Sequence, residues 1–156
     1  PYIVALMTQL ADVDSGERVL EVGTGSGYQA AVLGRLAGAV YTVEIVQELG
    51  REARQRLREQ GYDNVHVKIG DGFRGWPEQA PFDAIVVTCA PPEIPRPLKD
   101  QLAAEGRLVI PVGENWQQLK VLEKSEDGSL SKKSVIPVRF VPMTGDGVRE
   151  MQKDEP

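Results

Sequence analysis

At 156 residues, with 41% hydrophobic side chains and no apolar run long enough to span a bilayer, the chain reads as one soluble domain with enough length for a continuous core. Its formal net charge of −5 disfavours non-specific nucleic-acid binding, which is driven by a basic surface. One histidine and one cysteine exclude a multi-histidine metal site and an internal disulfide, and neither metal nor serine–histidine chemistry can be assembled from these residues.

In chain order, Pro1 to Leu10 has the spacing of an amphipathic helix, opened by proline, with Ile3, Leu6, Met7 and Leu10 in one stripe. Asp12 to Glu17 is polar and carries Ser15-Gly16, a turn into the next segment. That segment, Arg18 to Tyr28, organises the rest. Val19, Leu20 and Val22 predict a strand buried on both faces, and Tyr28 to Leu36 resumes at helical spacing. Between them Gly23, Gly25 and Gly27 permit positive φ and leave no Cβ between the backbone and a ligand. Such a turn at the carboxyl end of a parallel strand is where doubly wound folds bind nucleotides.

Spacing narrows the ligand. A dinucleotide fingerprint needs its third glycine where Tyr28 stands, and a phosphate-cradling P-loop needs a lysine that Ser26-Gly27-Tyr28 lacks. Glu21, just ahead of the turn, would repel a phosphate yet could help hold an ammonium or a sulfonium. Taken alone, the motif leaves open a glycine-rich connection in some other α/β protein.

Val40 to Glu44 predicts the second strand, and Glu44 lies at the distance from the glycine turn where a carboxylate accepts hydrogen bonds from ribose hydroxyls. An acid at a helix N-terminus would look the same in isolation. The helix Val46 to Gln60 is expected to bury Val46, Leu49, Ala53 and Leu57, with Arg51, Arg54 and Arg58 outward, Glu52 paired to Arg56, and Gly61 as the stop. Val65 to Ile69 is the third strand, with His66 on its more polar face, and it leads into Gly70-Asp71-Gly72. Asp71 there could accept an adenine amino group or simply form a turn. Ala84 to Thr88 is the fourth strand, followed by the proline-stiffened loop Cys89 to Pro95. Pro97 to Ala104 reads as a short helix, Gly106 to Val112 as a fifth buried strand, and Gln117 to Lys124 with Leu130 to Phe140 as a hairpin about Asp127-Gly128. Val138 to Thr144 is expected to return toward the carboxyl edge, and 145–156 to be a flexible tail. The fold class is therefore α/β: a doubly wound, Rossmann-like, seven-stranded, mostly parallel sheet with helices on both faces and a C-terminal antiparallel hairpin, one domain over 1–156.

An acid, any residue, then Gly-x-Gly-x-Gly resembles the motif of S-adenosylmethionine-dependent methyltransferases. Enzymes of that group that act on nucleobase amino groups carry Asn or Asp, two prolines and an aromatic in the loop after the fourth strand. Cys89-Ala90-Pro91-Pro92-Glu93 keeps the prolines without the amide or the ring, which argues against a flipped base. More specifically, the chain resembles the protein-L-isoaspartate O-methyltransferase family. The resemblance rests on Pro1 to Met7, Leu20 to Leu33, Gly70-Asp71-Gly72 with Gly75-Trp76-Pro77, Ala80 to Ile85, Gly106 to Gly113 and Val138 to Pro142.

It implies an enzyme that moves a methyl group from S-adenosyl-L-methionine, leaving S-adenosyl-L-homocysteine, to the carboxylate of L-isoaspartyl residues in damaged proteins and peptides. Esterification makes that side chain a better leaving group, so the adjacent backbone nitrogen can close a succinimide that reopens partly to normal aspartate. By similarity Glu21, Gly23, Thr24, Gly25, Ser26, Gly27, Glu44, Asp71 and Gly72 would bind the cofactor, Thr144 would approach it, and Val141 and Pro142 would line the peptide site. The family's active-site serine belongs to a segment ahead of the proline that matches Pro1, so no catalytic residue and no metal ligand are assigned. A cytoplasmic monomer acting on polypeptides, with neither nucleic acid nor membrane as partner, is the expectation. Two alternatives stand beside it: a methyltransferase of another acceptor class, such as transfer RNA adenosine, and a cofactor-binding module inactive without the family's N-terminal region.

Overall fold

The structure, a computed structural model, describes residues 1–153. Five parallel strands come first: β1 (Arg18–Val22), β2 (Ala39–Glu44), β3 (Val65–Ile69), β4 (Phe82–Val87) and β5 (Leu102–Val112). Antiparallel β6 (Gln117–Lys124) and β7 (Leu130–Val138) extend the sheet beyond β5, giving the order β3-β2-β1-β4-β5-β6-β7. Winding reverses between β1 and β4, and the two carboxyl ends part there to leave a crevice. The helices are α1 (Tyr2–Ala11), α2 (Tyr28–Leu36), α3 (Gln47–Glu59), α4 (Arg96–Asp100) and α5 (Asp146–Lys153).

Strand alternation sends neighbouring residues into different cores. Val19 joins Met7, Leu33, Val86, Val109 and Leu119 beneath α1 and α2, whereas Leu20 joins Phe82, Ile85, Leu98, Leu108 and Ile110 on the opposite face. Each such side chain, wholly withdrawn from water, contributes about 1.5–3 kcal/mol, so the two layers fix the strand ends firmly enough to carry a site. His66 lies exposed on β3 with its ring stacked on Tyr41, centroids 5.1 Å apart, as the strand pattern anticipates.

Three expectations are corrected. The helix expected over 97–104 stops at Asp100, because Leu102, only 2% exposed, already pairs with Phe82 in the sheet. The register then shifts before Ala84 meets Arg107, and Glu105 at φ 62° absorbs the extra residues. Val46 and Leu49 are not buried by α3; the buried face is Gly50, Ala53 and Leu57, and the first turn overhangs the carboxyl edge of the sheet. Arg56 does not pair with Glu52 but donates to the Ser26 carbonyl, fastening α3 to the glycine turn.

The tail is the fourth correction. Residues 146–153 form α5, with Val148 in the core beneath Phe73, and only 154–156 of the expected tail lie outside the described residues. Its cap is supplied from far away in sequence: Asp71 Oδ2 accepts the Gly147 amide at 2.9 Å, and Oδ1 accepts the Phe73 amide at 3.0 Å. One carboxylate thus joins the end of β3 to the C-terminal helix. Asp71→Ala is expected to lower unfolding stability by about 1–3 kcal/mol in denaturant titration, with the Gly147 amide among those whose hydrogen exchange accelerates most.

Candidate functional site

The carboxyl ends of β1, β2 and β4 surround a cleft of about 310 Å³. Its floor is the glycine turn. Gly23 takes φ 97° and donates to the Val43 carbonyl at 2.9 Å, while Thr88 Oγ1 donates to the Val22 and Gly23 carbonyls at 3.0 and 2.7 Å. A Cβ on Gly23 would strike the Thr88 hydroxyl, so the strand end and β4 can approach only with glycine there. At Gly25, φ 52°, a Cβ would meet nothing within 4 Å: the space over the turn is open to a ligand.

Glu44 closes one side of the cleft. Its carboxylate, 6% exposed, accepts the Gly25 amide through Oε2 at 2.7 Å and the Val46 amide through Oε1 at 2.9 Å. Each oxygen retains capacity for a further hydrogen bond, so the pair can receive vicinal hydroxyls without losing the backbone. Beside it Ile45, Val46 and Leu49 leave 41–48% of their surface exposed and make an apolar wall suited to a flat ring system. The facing wall is the segment after β7. Val141, Pro142, Met143 and Thr144 line it, pinned to the loop beyond β4 by Ala90 N to Val141 O at 2.8 Å and Met143 N to Ala90 O at 2.7 Å.

Of the residues singled out in the sequence, the cleft gathers Gly23, Gly25, Glu44, Gly72, Val141, Pro142 and Thr144. It does not gather five others. Thr24 is buried and bonded to Thr42, Oγ1 to Oγ1 at 2.6 Å; Ser26 and Gly27 border a separate groove with Arg56 and Leu57; Asp71 is engaged in the α5 cap. Glu21 is the fifth. It is wholly buried on the α1–α2 side of β1, and among the described residues neither carboxylate oxygen has a hydrogen-bond partner. Burial drives its pKa well above the usual carboxylate range, the Glu44 charge adds to the rise, and the nearby Thr42 hydroxyl, shared with Thr24, offsets only part. Burial favours its neutral form, and its side chain lies outside the lining of the cleft.

Sequence reasoning missed the apolar wall of Ile45, Val46 and Leu49. The available signal was apolar residues in the first turn after a strand-end acid, which helical periodicity assigned to the core. It also missed Thr88 as a lining residue, while Cys89, the first residue of the proline-stiffened loop, does line the cleft. The Cys89 thiol is pushed up to about 12, first by burial and then by the charges of Glu44 and Asp71, so it stays protonated near neutral pH.

A sheet of this order, with an acid-x-Gly-x-Gly-x-Gly turn at the end of β1 and a cleft carboxylate at the end of β2, defines a Rossmann-like domain of the methyltransferase class. The family described as protein-L-isoaspartate(D-aspartate) O-methyltransferase matches residues 1–148, and the chain belongs to that family. A protein-L-isoaspartate O-methyltransferase 2 of Polaromonas sp. is 61% identical over 147 residues, covering 93% of this chain and 70% of the relative. A solved protein-L-isoaspartate O-methyltransferase superposes with TM-score 0.90 at 30% identity, covering 98% of this chain and 50% of that one. A protein-L-isoaspartate O-methyltransferase structure from Plasmodium falciparum, described as putative and in complex with S-adenosyl-L-homocysteine, gives TM-score 0.77 at 26% identity over 92% of this chain and 74% of that one. This chain therefore spans half to three quarters of the proteins it matches here.

Because Glu21 keeps its proton longer folded than unfolded, stability is lost as pH rises above about 4.3, where the unfolded chain ionises. Glu21→Gln abolishes this contribution. Relative to the parent, its denaturation midpoint is expected to improve as pH rises above about 4, where the unfolded acid begins to ionise; an offset independent of pH would contradict the buried acid's raised pKa.

Proposed function

We propose that this chain binds S-adenosyl-L-methionine in the cleft and transfers its methyl group to the side-chain carboxylate of L-isoaspartyl residues in damaged proteins and peptides. The observation that carries the reading is the composition of the cleft: an open glycine turn, a carboxylate held by backbone amides, an apolar wall and, among the described residues, no histidine or lysine in the lining. Gly23, Gly25, Glu44 and Gly72 would hold the nucleoside and amino-acid portions, with Ile45, Val46 and Leu49 against the base. When bound, the cofactor supplies an electrophilic methyl on a cationic sulfur.

The lining suits an acceptor that needs no activation. Among the described residues its ionisable members are Glu44, whose oxygens are engaged by the Gly25 and Val46 amides, and Cys89, whose thiol is protonated at neutral pH. A carboxylate of pKa about 4 is already an anion, so alignment and exclusion of water can provide most of the acceleration; well-oriented pairs reach effective molarities on the order of 10⁵ M. A protonated Cys89 also leaves the acceptor carboxylate without a competing thiolate in the cleft. Val141 and Pro142, on the wall opposite Glu44, would border the incoming peptide.

We extend the same reading to a cytoplasmic monomer with polypeptide partners. The net charge of −5, the single cysteine, and the lack of any helix long and apolar enough to cross a membrane among the described residues agree with it.

With labelled cofactor, methyl transfer is expected to an isoaspartyl peptide and not to its aspartyl twin; equal labelling of the two would refute the assignment. Glu44→Gln, which replaces one acceptor oxygen by a donor, is expected to weaken cofactor binding by about tenfold or more in calorimetry, with the fold intact by circular dichroism.

A further inference from the structure

Trp116 is 90% exposed, an unusual placement for the largest apolar side chain, in a turn whose two ends are anchored by hydrogen bonds. The turn lies between β5 and β6, at the same carboxyl edge as the cleft, because β5 runs parallel to β1 and β4. Its first residue, Gly113 at φ 125°, donates to the Pro91 carbonyl at 3.0 Å. Its last neighbour, Gln117, is 8% exposed and clamps the backbone of Phe140 from both sides: Nε2 donates to the carbonyl at 3.0 Å, and Oε1 accepts the amide at 2.6 Å. Phe140 leads directly into Val141, which lines the cleft while leaving 69% of its surface exposed. The turn, the loop beyond β4 and the cleft wall are therefore one hydrogen-bonded platform, with the indole standing free on its rim.

From this geometry we infer that Trp116 is a subsite for the residues flanking the acceptor, taking an apolar or aromatic side chain of the substrate polypeptide one to a few positions from the methylated residue. The inference rests on the reading of the cleft as a peptide carboxylate site. An extended peptide advances about 3.3 Å per residue, so one whose acceptor carboxylate enters the cleft must lay its neighbours across the rim. An indole offers a large, rigid apolar face with few rotatable bonds, which is why tryptophan is enriched at the anchors of recognition surfaces. Since the platform belongs to the wall and not to the glycine turn, the subsite acts on acceptor preference and leaves the cofactor contacts alone.

Two isoaspartyl peptides, one with leucine or phenylalanine flanking the acceptor and one with serine, distinguish this role. Trp116→Ala is expected to raise KM for the apolar peptide about tenfold relative to the serine peptide, with kcat and cofactor affinity retained, and Trp116→Phe to restore most of the difference. Equal KM changes for both peptides, none for either, or a parallel loss of cofactor affinity would overturn it. Direct binding separates this inference from the proposed activity. In a Trp76→Phe background, where Trp116 is the sole indole, the apolar peptide is expected to shift its emission to the blue. A shift without methyl transfer would uphold the subsite and refute the activity, whereas transfer without a shift would uphold the activity and refute the subsite.

Discussion

The hold of Glu44 on two backbone amides is the constraint on which the site depends. Gly25 belongs to the turn after β1 and Val46 to the start of α3, so one carboxylate unites two strand ends that the sheet alone would leave as independent loops. The bonds are charge-assisted and nearly removed from water, which makes each stronger than its exposed equivalent. Their consequence is a turn already shaped for a ligand, with open space over Gly25 and an acceptor edge beside it. Little ordering is then required on binding, the condition under which an interaction shows as affinity.

The opposite wall follows the same logic with different means. Val141 to Thr144 form no regular strand, yet two backbone hydrogen bonds to Ala90 and the Gln117 clamp on Phe140 hold them in place. Asp71 extends the bracing to α5, so that the last described helix is tied to the end of β3. The cleft is thus framed almost wholly by backbone groups satisfied elsewhere in the fold, leaving side chains to present an apolar surface. A reaction between two opposite charges that disappear together is favoured where partners are prearranged and water is excluded on binding, and it needs no proton-transfer residue.

Glu21 illustrates the cost of placing an acid in that frame. On β1 its side chain points away from the cleft into the layer beneath α1 and α2, and it finds no hydrogen-bond partner among the described residues. The sequence position, two residues before Gly23, suggested an electrostatic role; strand alternation puts Val22 on the cleft side and Glu21 on the other, so the side chain does not line the cleft. Thr24 and Gly27, beyond the end of β1, belong to the motif by spacing but pack the turn against Thr42 and α3, and of the turn's residues only Gly23 and Gly25 line the cleft.

From residues 18 to 44 the chain could be read directly: a buried strand, a glycine turn, a helix and a strand ending in an acid are local patterns with few other physical solutions. The hairpin about Asp127-Gly128 was legible for the same reason, since turn chemistry is a short-range property. What only the tertiary structure decided are matters of long range. Whether Leu102 begins a strand depends on Phe82, whether Val46 and Leu49 are buried depends on where α3 overhangs the sheet, and whether the last residues form a helix depends on a carboxylate 76 residues earlier. Periodicity records that a side chain is apolar; only the assembled fold determines whether it faces a core or an open cleft, because both environments select the same residues.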